Sequence, residues 1–266
     1  MRKLKRWWRA RKAEAAIKDR REAVRAMVEG VIGAQVRLKE RGNLGHDSNY
    51  DVFAGDRQVA VLRLVNPFKQ RPTPPPGMPF QIEEPARRLD HEYVALARAA
   101  SIGLAPEPIW RAEDAILCRY LPYETLTSRV LKDPERVWDY LSQASAALDR
   151  LHREVGMAHM DASLSNVLSD PAGKAFALVD FEYTPDVGVG FAEQKIYDHL
   201  RLLQATGKFI PDRLKGEHAA WFEQFGGYID DEMRAAPLER ILPALNHVLG
   251  VPAYREAACR ILPRLA

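Results

Sequence analysis

The segments of this chain that favour β-strands lie mainly in its first half, and the segments that favour helices lie mainly in its second half. Residues 58–65 and 115–121 are β-branched and apolar runs typical of strands. Apolar residues recur at helical spacing over residues 134–154, and residues 183–266 also have a helical pattern. This separation predicts a two-lobed α+β protein, with a small sheet-rich N-lobe and a helical C-lobe, rather than alternating βαβ units.

A Pro-rich segment, residues 66–85, interrupts the first half. It holds seven of the 18 prolines, so neither a helix nor a central strand is expected there. The segment is either a binding loop, such as a lid on the acceptor side of a site, or a disordered insert. A helix is predicted directly after it, over residues 86–101.

These patterns divide the chain into three parts. Residues 1–33 are predicted to form a basic helix, residues 34–121 the N-lobe with its Pro-rich insert, and residues 122–266 the C-lobe. The N-lobe is expected to begin with a loop and a hairpin that turns at residues 54–56. In the C-lobe, two short strands are expected around the turn at residues 170–173.

The charge of the chain is unevenly distributed. The net charge is +3, but residues 1–25 contain eleven basic and three acidic side chains, so the other 241 residues sum to about −5. Trp7 and Trp8 lie in this basic segment, a combination that fits a helix at an anionic membrane surface. A solvated basic helix, or one packed on the N-lobe, is the alternative. No nucleic-acid-reading motif accompanies the charge, so no nucleic-acid partner is expected.

Composition argues against several other classes of protein. A hydrophobic content of 47% and a charged content of 28% are those of a globular protein rather than a disordered one. Two cysteines, Cys118 and Cys259, do not make a disulfide framework or a Cys-rich zinc site, and they fit a reducing compartment. No stretch approaches the roughly 20 apolar residues that span a bilayer. The basic N-terminus lacks the apolar run of a signal peptide, and a cytoplasmic location is predicted.

The stretch most informative about chemistry reads HMDASLSN at residues 159–166 and is followed by VDFE at residues 179–182. Phosphoryl transfer from ATP needs a carboxylate to orient and deprotonate the attacking hydroxyl, and oxygen ligands for Mg²⁺. Asp161 is the predicted base, and Asn166 and Asp180 are the predicted metal ligands. The alternative is that Asp161 and Asn166 cap turns and that Asp180 ends a strand.

These two motifs resemble the H-x-D-x-x-x-x-N catalytic loop and the Asp-Phe-Gly-type metal loop of the protein-kinase-like phosphotransferases. We therefore call residues 159–166 the catalytic loop and residues 180–182 the metal loop. The resemblance extends over about residues 40–205 and implies a protein-kinase-like fold that uses ATP and Mg²⁺. Glu182 replaces the Gly of protein kinases, as an acid does in kinases of the aminoglycoside and choline type. The chain is thus most similar to that branch, whose acceptors are not proteins.

The resemblance places a phosphate-binding loop in the N-lobe. Gly45, Ser48 and Asn49 stand where that branch has a Gly…Ser-Asn loop, in which a backbone turn and small polar side chains cover the phosphates. The match to a G-x-G-x-x-G loop is poor, and a plain hairpin loop is the alternative.

Arg63 stands where the family normally has a strand Lys that contacts the α- and β-phosphates. Arg keeps the charge but is not equivalent to Lys. Lys69 is an alternative phosphate ligand, and Arg63 is otherwise an exposed strand cation. Glu92, on the following helix, is the expected ion-pair partner of Arg63, or else part of a solvated helix face.

Three further positions are implied for the adenine pocket and one for support of the catalytic loop. Cys118 would flank the adenine, and backbone groups of Arg119 and Leu121 would bond its edge, unless this is an ordinary strand that leads to a turn. Asp198 lies on a later helix, where kinase-like folds use a buried acid to hold the backbone of the catalytic loop; a surface charge is the alternative. His159 is expected to be structural rather than a proton carrier.

The residues after the metal loop narrow the choice of acceptor. There is no Ala-Pro-Glu motif of protein kinases, and residues 183–266 carry eleven acidic and ten basic side chains, without the acidic excess expected for a polycationic acceptor. In size and build, the chain looks most similar to the bacterial kinases of lipopolysaccharide core sugars, which implies a membrane-held glycolipid acceptor. Such a protein would be cytoplasmic and peripheral on the inner face of the inner membrane.

The sequence leaves three classes of function. The first is a kinase of an envelope sugar, and the second is a soluble small-molecule kinase of the choline or aminoglycoside type. The third is a nucleotide-binding pseudokinase, because Arg63 and the sparse Gly loop depart from the family pattern.

Overall fold

The computed structural model describes residues 2–41, 47–69 and 73–265, with side chains from residue 7 onward. The chain divides into two compact units. Unit 1 comprises Met1–Thr73, Glu84–Ala97 and Pro106–Leu121, and unit 2 comprises Pro74–Glu83, Arg98–Ala105 and Pro122–Ala266. The large sheet belongs to unit 1 and most helices belong to unit 2, which confirms the predicted α+β class. The Pro-rich segment is divided between the two units after Thr73.

The described residues form ten strands and ten α-helices. The strands are β1 Val36–Glu40, β2 Asp47–Ala54, β3 Arg57–Val65, β4 Phe80–Gln81, β5 Pro108–Ala112, β6 Ala115–Arg119, β7 Glu124–Thr125, β8 Val167–Ser169, β9 Phe176–Leu178 and β10 Thr184–Pro185. The helices are α1 Arg2–Ala16, α2 Lys18–Ile32, α3 Pro85–Ala100, α4 Leu126–Lys132, α5 Val137–Arg150, α6 Phe191–Thr206, α7 Ala219–Tyr228, α8 Asp231–Ala235, α9 Asn246–Leu249 and α10 Pro252–Ile261. A π-helical turn, Leu151–Val155, extends α5.

Unit 1 is built on one antiparallel sheet of five strands in the order β1-β2-β3-β6-β5. Side chains alternate along β3, so that Ala60, Leu62 and Leu64 are buried on one face. This face packs against α2 through Val24 and Val28. The other face carries the odd-numbered residues of β3, among which are the positions that the sequence assigns to phosphate binding.

Three elements of unit 1 differ from the sequence prediction. The single helix predicted over residues 1–33 is two helices, which meet at Ile17, where the backbone leaves helical geometry and the side chain enters the core. Strands β1 and β5 were not predicted from the sequence. Both are edge strands, β1 has alternating charged residues, and β5 begins at a proline, so neither has the continuous apolar run of a central strand.

Unit 2 has a helical core in which α5 and α6 pack together. Leu141, Ala144 and Leu148 of α5 are buried, as their helical spacing predicts, and Ile196, Leu200 and Leu203 of α6 are buried as well. The predicted hairpin around residues 170–173 is confirmed as β8 and β9, joined by β7 in a three-stranded sheet. None of the described helices is long and apolar enough to cross a membrane.

Within unit 2, the Pro-rich segment has one short regular element. Strand β4 pairs with β10, which follows the metal loop, in the register Gln81 to Thr184 and Phe80 to Pro185. Over its described residues before α3, 66–69 and 73–84, the segment forms neither a helix nor a central strand, as predicted, because β4 has two residues in a two-stranded ribbon. Pro85 begins α3. The predicted role of the segment as a lid stays a prediction.

Candidate active site

The catalytic loop is held by its backbone. The carboxylate of Asp198, on α6, is wholly buried and accepts hydrogen bonds from the N–H groups of His159 (2.7 Å) and Met160 (2.8 Å). The Nε2 atom of His152 lies 2.9 Å from the same carboxylate. Because bonds to an ionised acceptor are strong, one acid fixes the start of the loop. The predicted supporting role of Asp198 is confirmed.

His159 is also a structural residue, as predicted. Its ring lies against Phe181 with centroids 4.6 Å apart, and its Nε2 lies 3.0 Å from the carbonyl oxygen of Val179. Its Nδ1 accepts a hydrogen bond from the N–H of Asp161 at 3.3 Å. Since Nδ1 accepts, Nε2 carries the proton and donates a hydrogen bond to the Val179 carbonyl. Nδ1 therefore braces the catalytic loop internally, while Nε2 and the ring face join it to the residues of and just before the metal loop.

Asp161 and Asn166 are brought together. The Asn166 amide donates to the backbone oxygen of Asp161 at 2.9 Å and to its carboxylate at 3.3 Å. Asn166 is itself fixed, because its N–H donates to Ser163 and its carbonyl accepts from Val179, each at 3.0 Å. These bonds give the pair a defined geometry beyond that of two independent turn caps.

Asp180 follows Val179, the residue that bonds to Asn166, so the hairpin of β8 and β9 positions the metal loop beside the catalytic loop. Asp180 has φ of +71° and Met160 has φ of +63°. A left-handed backbone is acceptable for Asp but costs a long side chain such as Met roughly 1–2 kcal/mol. The strain lies next to the predicted base, where the loop is over-determined by Asp198.

The environment of Asp161 shifts its acidity. Burial raises the pKa of the Asp161 carboxyl above its usual range, and the negative charge of Asp180 acts in the same direction. The guanidinium of Arg201, on α6, opposes this shift by donating to the Asp161 carboxylate at 3.2 Å. A partly buried carboxylate beside a cation, on a fixed loop, is suited to accept a proton.

The donor groups of this cluster suit Mg²⁺. The amide nitrogen of Asn166 is turned to Asp161, which leaves the side-chain oxygen as the metal-binding atom, and Asp180 supplies a carboxylate. Over the described residues, no group of three or more His, Cys, Asp or Glu side chains is placed to hold a metal ion. Mg²⁺ does not need such a group, because phosphate oxygens and water complete its coordination.

Sequence reasoning missed three residues next to this cluster. Arg201 lies one helical turn after Asp198 on α6, so its position was implied once Asp198 was placed there. Tyr183 lies directly after the metal loop, where burial, with the charges of Asp161 and other nearby carboxylates, raises the pKa of its hydroxyl. Phe80 of β4 stacks on Tyr183 with centroids 4.3 Å apart and ring planes within 2°. No local sequence signal predicts that long-range contact.

In unit 1, the predicted partnership of Arg63 and Glu92 is confirmed. Arg63 donates to the Glu92 carboxylate at 2.8 Å, and both side chains are largely buried. Asn49 lies directly opposite Arg63 in the register of β2 and β3, so the two share one sheet face. That the two residues bind phosphate stays a prediction.

Ser48 lies on the other face of the sheet. It is wholly buried, donates to the Glu14 carboxylate of α1 at 2.5 Å, and accepts from Asn66 at 2.9 Å. Tyr50 and Lys69 also bond to Glu14, at 2.5 and 2.8 Å. We call these five residues the Glu14 network: Glu14, Ser48, Tyr50, Asn66 and Lys69. The fold thus gives the Ser48 hydroxyl structural partners, and phosphate binding by Ser48 stays a prediction, as does the alternative role of Lys69.

Of the remaining predicted positions, Cys118 lies opposite Val61 on the sheet face that bears Arg63, and burial, with the charge of Glu92, raises the pKa of its thiol to about 12. The N–H of Arg119 donates to the carbonyl of Glu107 at 2.8 Å and is engaged within the sheet. Leu121 is half-buried after β6. The adenine contacts stay predictions, and Gly45 lies outside the described residues.

Comparison with known proteins finds likenesses among solved structures. No protein-family model matches the chain, and no curated protein matches it. The crystal structure of a choline/ethanolamine kinase family protein from Mesorhizobium loti aligns with 94% of this chain and 93% of that chain, at 17% sequence identity and a TM-score of 0.49.

Proposed function

We propose that this protein is an ATP-dependent phosphotransferase that moves the γ-phosphate to a hydroxyl of a non-protein acceptor. The observation that supports the proposal is the cluster of Asp161, Asn166 and Asp180, held on two loops that His159 and Asp198 join and anchor. Turn caps alone would not require a buried acid to fix the loop backbone.

Each residue of the proposed site has one task in the reaction. Arg63, oriented by Glu92, holds the phosphates of ATP, with Asn49 on the same sheet face. Asn166 and Asp180 hold Mg²⁺, which neutralises phosphate charge when it is bound. Asp161 orients the acceptor hydroxyl and accepts its proton on a carboxylate oxygen as the hydroxyl attacks the γ-phosphorus in line. The bond from the γ-phosphorus to the bridging oxygen breaks, and ADP leaves with that oxygen.

Arg201 places a partly exposed cation beside the proposed base, where it is paired with Asp161 and close to the charge of Asp180. An ammonium group on the acceptor would meet charges of both signs here, so this position does not separate a sugar from an amino alcohol. We propose a sugar of a cell-envelope glycolipid as the acceptor, because the basic N-terminal helix suits a membrane-held substrate, with a soluble amino alcohol or antibiotic as the alternative.

The basic N-terminal helix has the residues to bring the protein to such an acceptor. Trp7 and Trp8 of α1 are about half exposed, and Arg9, Arg11 and Lys12 beside them are exposed. Indole rings and basic side chains are the residues that hold a helix at an anionic lipid surface. We propose that α1 contacts such a surface.

An ATP-consumption screen tests the proposed function. Deacylated core oligosaccharides, choline-like alcohols and aminoglycosides are offered in turn to the full-length protein with Mg-ATP, and Asp161→Asn is the matched inactive variant. We expect turnover with a sugar acceptor that the variant loses. Turnover with only ammonium-bearing acceptors would favour the alternative acceptor class. Binding of ATP without turnover on any acceptor, by both proteins, would show a pseudokinase.

Vesicle sedimentation tests the membrane contact separately. The full-length protein should sediment with vesicles that contain phosphatidylglycerol and not with pure phosphatidylcholine, and added salt should release it. The double variant Trp7→Ala, Trp8→Ala should bind less, whereas Phe68→Ala, which also removes an exposed aromatic ring of unit 1, should not. Equal binding by all three proteins would contradict the proposal.

A further inference from the structure

Unit 2 contains a polar cavity of about 410 Å³ that the proposed reaction does not use. Its walls come from the end of α5 and its π-helical turn, from α6, and from the chain between the end of α7 and α8 with both of those helices. Most of its lining is ionisable or polar, which is unusual for a packing defect between helices, since such gaps are normally apolar. Its size is within the range of small-molecule sites.

One buried side chain in this cavity has an unused hydrogen-bonding atom. His199 of α6 is wholly buried, and among the residues that the structure describes, no group bonds to its Nε2. Its Nδ1 lies 3.0 Å from the hydroxyl of Ser145, which accepts from the indole N–H of Trp221 at 3.1 Å. With Ser145 donating to Nδ1, the proton of the imidazole is on the unpartnered Nε2, in a ring that lines the cavity.

The charges that line the cavity are of both signs. Asp149 pairs with Arg153 at 2.8 Å, and Lys195 pairs with Asp230 at 2.5 Å. In each pair one side chain is exposed and its partner is enclosed. The exposed fraction of the side chain is 66% for Arg153 and 49% for Asp230, but only 11% for Asp149 and 12% for Lys195. Water screens the exposed partners more than the enclosed ones. The enclosed charges are therefore one carboxylate and one ammonium.

We propose that this cavity binds a small zwitterion of the amino-acid class. The ligand's ammonium group contacts Asp149, and its carboxylate contacts Lys195 and the Nε2–H of His199. Burial, together with the charges of His152 and Lys195, lowers the pKa of His199 well below its usual value, so its ring is a neutral donor. A ligand with one group of each sign satisfies both enclosed charges, which a simple anion or a simple cation does not.

The cavity adjoins the anchor of the catalytic loop. His152 lines the cavity, and its Nε2 lies 2.9 Å from the Asp198 carboxylate that holds His159 and Met160. A bound ligand that moves His152 therefore acts on the acid that fixes the loop. We expect the ligand to change the turnover rate, and this consequence depends on the proposed function, whereas the binding itself does not.

Calorimetric titration of the full-length protein tests the binding. The probes are ω-amino acids from glycine to 6-aminohexanoate, each matched by the alkyl carboxylate and the alkylammonium ion of the same length. We expect at least one ω-amino acid to bind with a Kd of about 1 mM or tighter, and its two matched ions at least about tenfold more weakly. Absence of binding by every ω-amino acid, or equal binding by the matched ions, overturns the proposal.

Three variants locate the site. Lys195→Gln and Asp149→Asn should each weaken the binding of the ω-amino acid by at least about tenfold, because each removes one enclosed charge. Arg260→Gln is the matched control, since it removes one member of an exposed ion pair on α10, with Glu256, outside the cavity. Undiminished binding by both cavity variants would place the ligand elsewhere and overturn the assignment.

Nitrogen-15 NMR of the imidazoles gives a measurement that needs no variant. The Nε2 resonance of His199 should shift on addition of the ω-amino acid, as expected for a donor that gains a partner, and should not shift with the matched alkylammonium ion. A ligand that binds without moving this resonance does not occupy the cavity as proposed. If the ligand binds here but turnover with Mg-ATP is unchanged at saturation, the proposed effect on the catalytic loop is wrong, whereas the proposed binding site stands.

Discussion

The catalytic loop of unit 2 and the predicted phosphate-binding segment of unit 1 use polar residues differently. The catalytic loop is anchored through its backbone, because Asp198 takes the N–H groups of His159 and Met160. The unit 1 segment is anchored through a side chain, because the hydroxyl of Ser48 enters the Glu14 network. The first arrangement leaves Asp161 available for chemistry, whereas the second commits Ser48 to packing.

A short polar motif is therefore a better guide to a functional site in unit 2 than in unit 1. In unit 2, the loops that carry Asp161, Asn166 and Asp180 are held in place by the contacts of Asp198 and His159. In unit 1, the similar-looking run at Ser48 and Asn49 divides between the two faces of a sheet, and only Asn49 shares a face with Arg63. Variants of each anchor test this contrast.

Asp198→Asn should have the largest effect on stability. It removes a buried charge that satisfies two backbone donors and His152, and we expect the free energy of unfolding to fall by about 3–5 kcal/mol. Urea unfolding measures this loss, and Asp212→Asn, which removes the charge of an exposed ion pair with Lys215, is the matched control, for which little change is expected. Equal stability of the two variants would show that the carboxylate of Asp198 does not anchor the catalytic loop.

Glu14→Gln should be the most damaging change in unit 1, with a loss of about 3 kcal/mol, because Lys69 would remain largely buried without its carboxylate. Glu22→Gln, in an exposed ion pair with Arg25, is the control. Turnover measured well below the melting temperature should change little in either variant, because the carboxylate of Glu14 has no part in the proposed reaction. A large loss of turnover with normal stability would contradict this expectation.

The same network predicts a pH dependence of stability. Burial alone would raise the pKa of Glu14, but the hydrogen bonds from Lys69, Ser48 and Tyr50 outweigh it, and the pKa is lowered in the folded protein. A group with a lowered folded pKa stabilises the protein above its unfolded pKa, about 4.3 for Glu, and this contribution is lost as the pH falls through the folded pKa. Thermal unfolding from pH 7 to pH 3 should therefore show a steeper loss in the wild type than in Glu14→Gln. Parallel curves would show that Glu14 does not titrate in this way.

Arg63→Met should raise the KM for ATP about 10- to 100-fold, because a charged hydrogen bond to phosphate contributes about 1.5–3 kcal/mol. Arg63→Lys keeps the charge but loses the planar fork, and a smaller increase is expected. Steady-state kinetics at varied ATP measure both. A KM that is unchanged in Arg63→Met would remove Arg63 from the proposed site and leave Lys69 as the alternative to test.

Ser48→Ala should have the smallest effect on the reaction. We expect a stability loss of about 1–3 kcal/mol, because Asn66 and Glu14 each lose a buried partner, and a change in KM for ATP within about threefold. The kinetic and unfolding measurements above serve for this variant as well. A tenfold increase in KM for ATP would instead support the phosphate-binding role that the sequence predicts for Ser48.

The sequence predicted the features that have a local or ordered signal. The hairpin of β8 and β9 follows from the strand-turn-strand pattern, whereas the role of Asp198 and the pairing of Arg63 with Glu92 follow from the resemblance to the protein-kinase-like phosphotransferases. The sequence did not predict the Glu14 network or the stacking of Phe80 on Tyr183, because these join segments 18 or more residues apart through single side chains. Nothing in local periodicity tells a buried Ser in a strand from one that faces a ligand.

The most direct test of the central claim is Mg²⁺-dependent transfer of the γ-phosphate by Asp180→Asn and Asp161→Asn, with Ser48→Ala as the folded control. Asn suits position 180, because it tolerates the left-handed backbone that Asp180 adopts. We predict that both Asp variants keep wild-type secondary structure and lose turnover by about 10²–10⁴-fold, while Ser48→Ala stays near the wild-type rate. Asp180→Asn and Asp161→Asn that keep the wild-type rate with Mg-ATP would show that this cluster is not the active site.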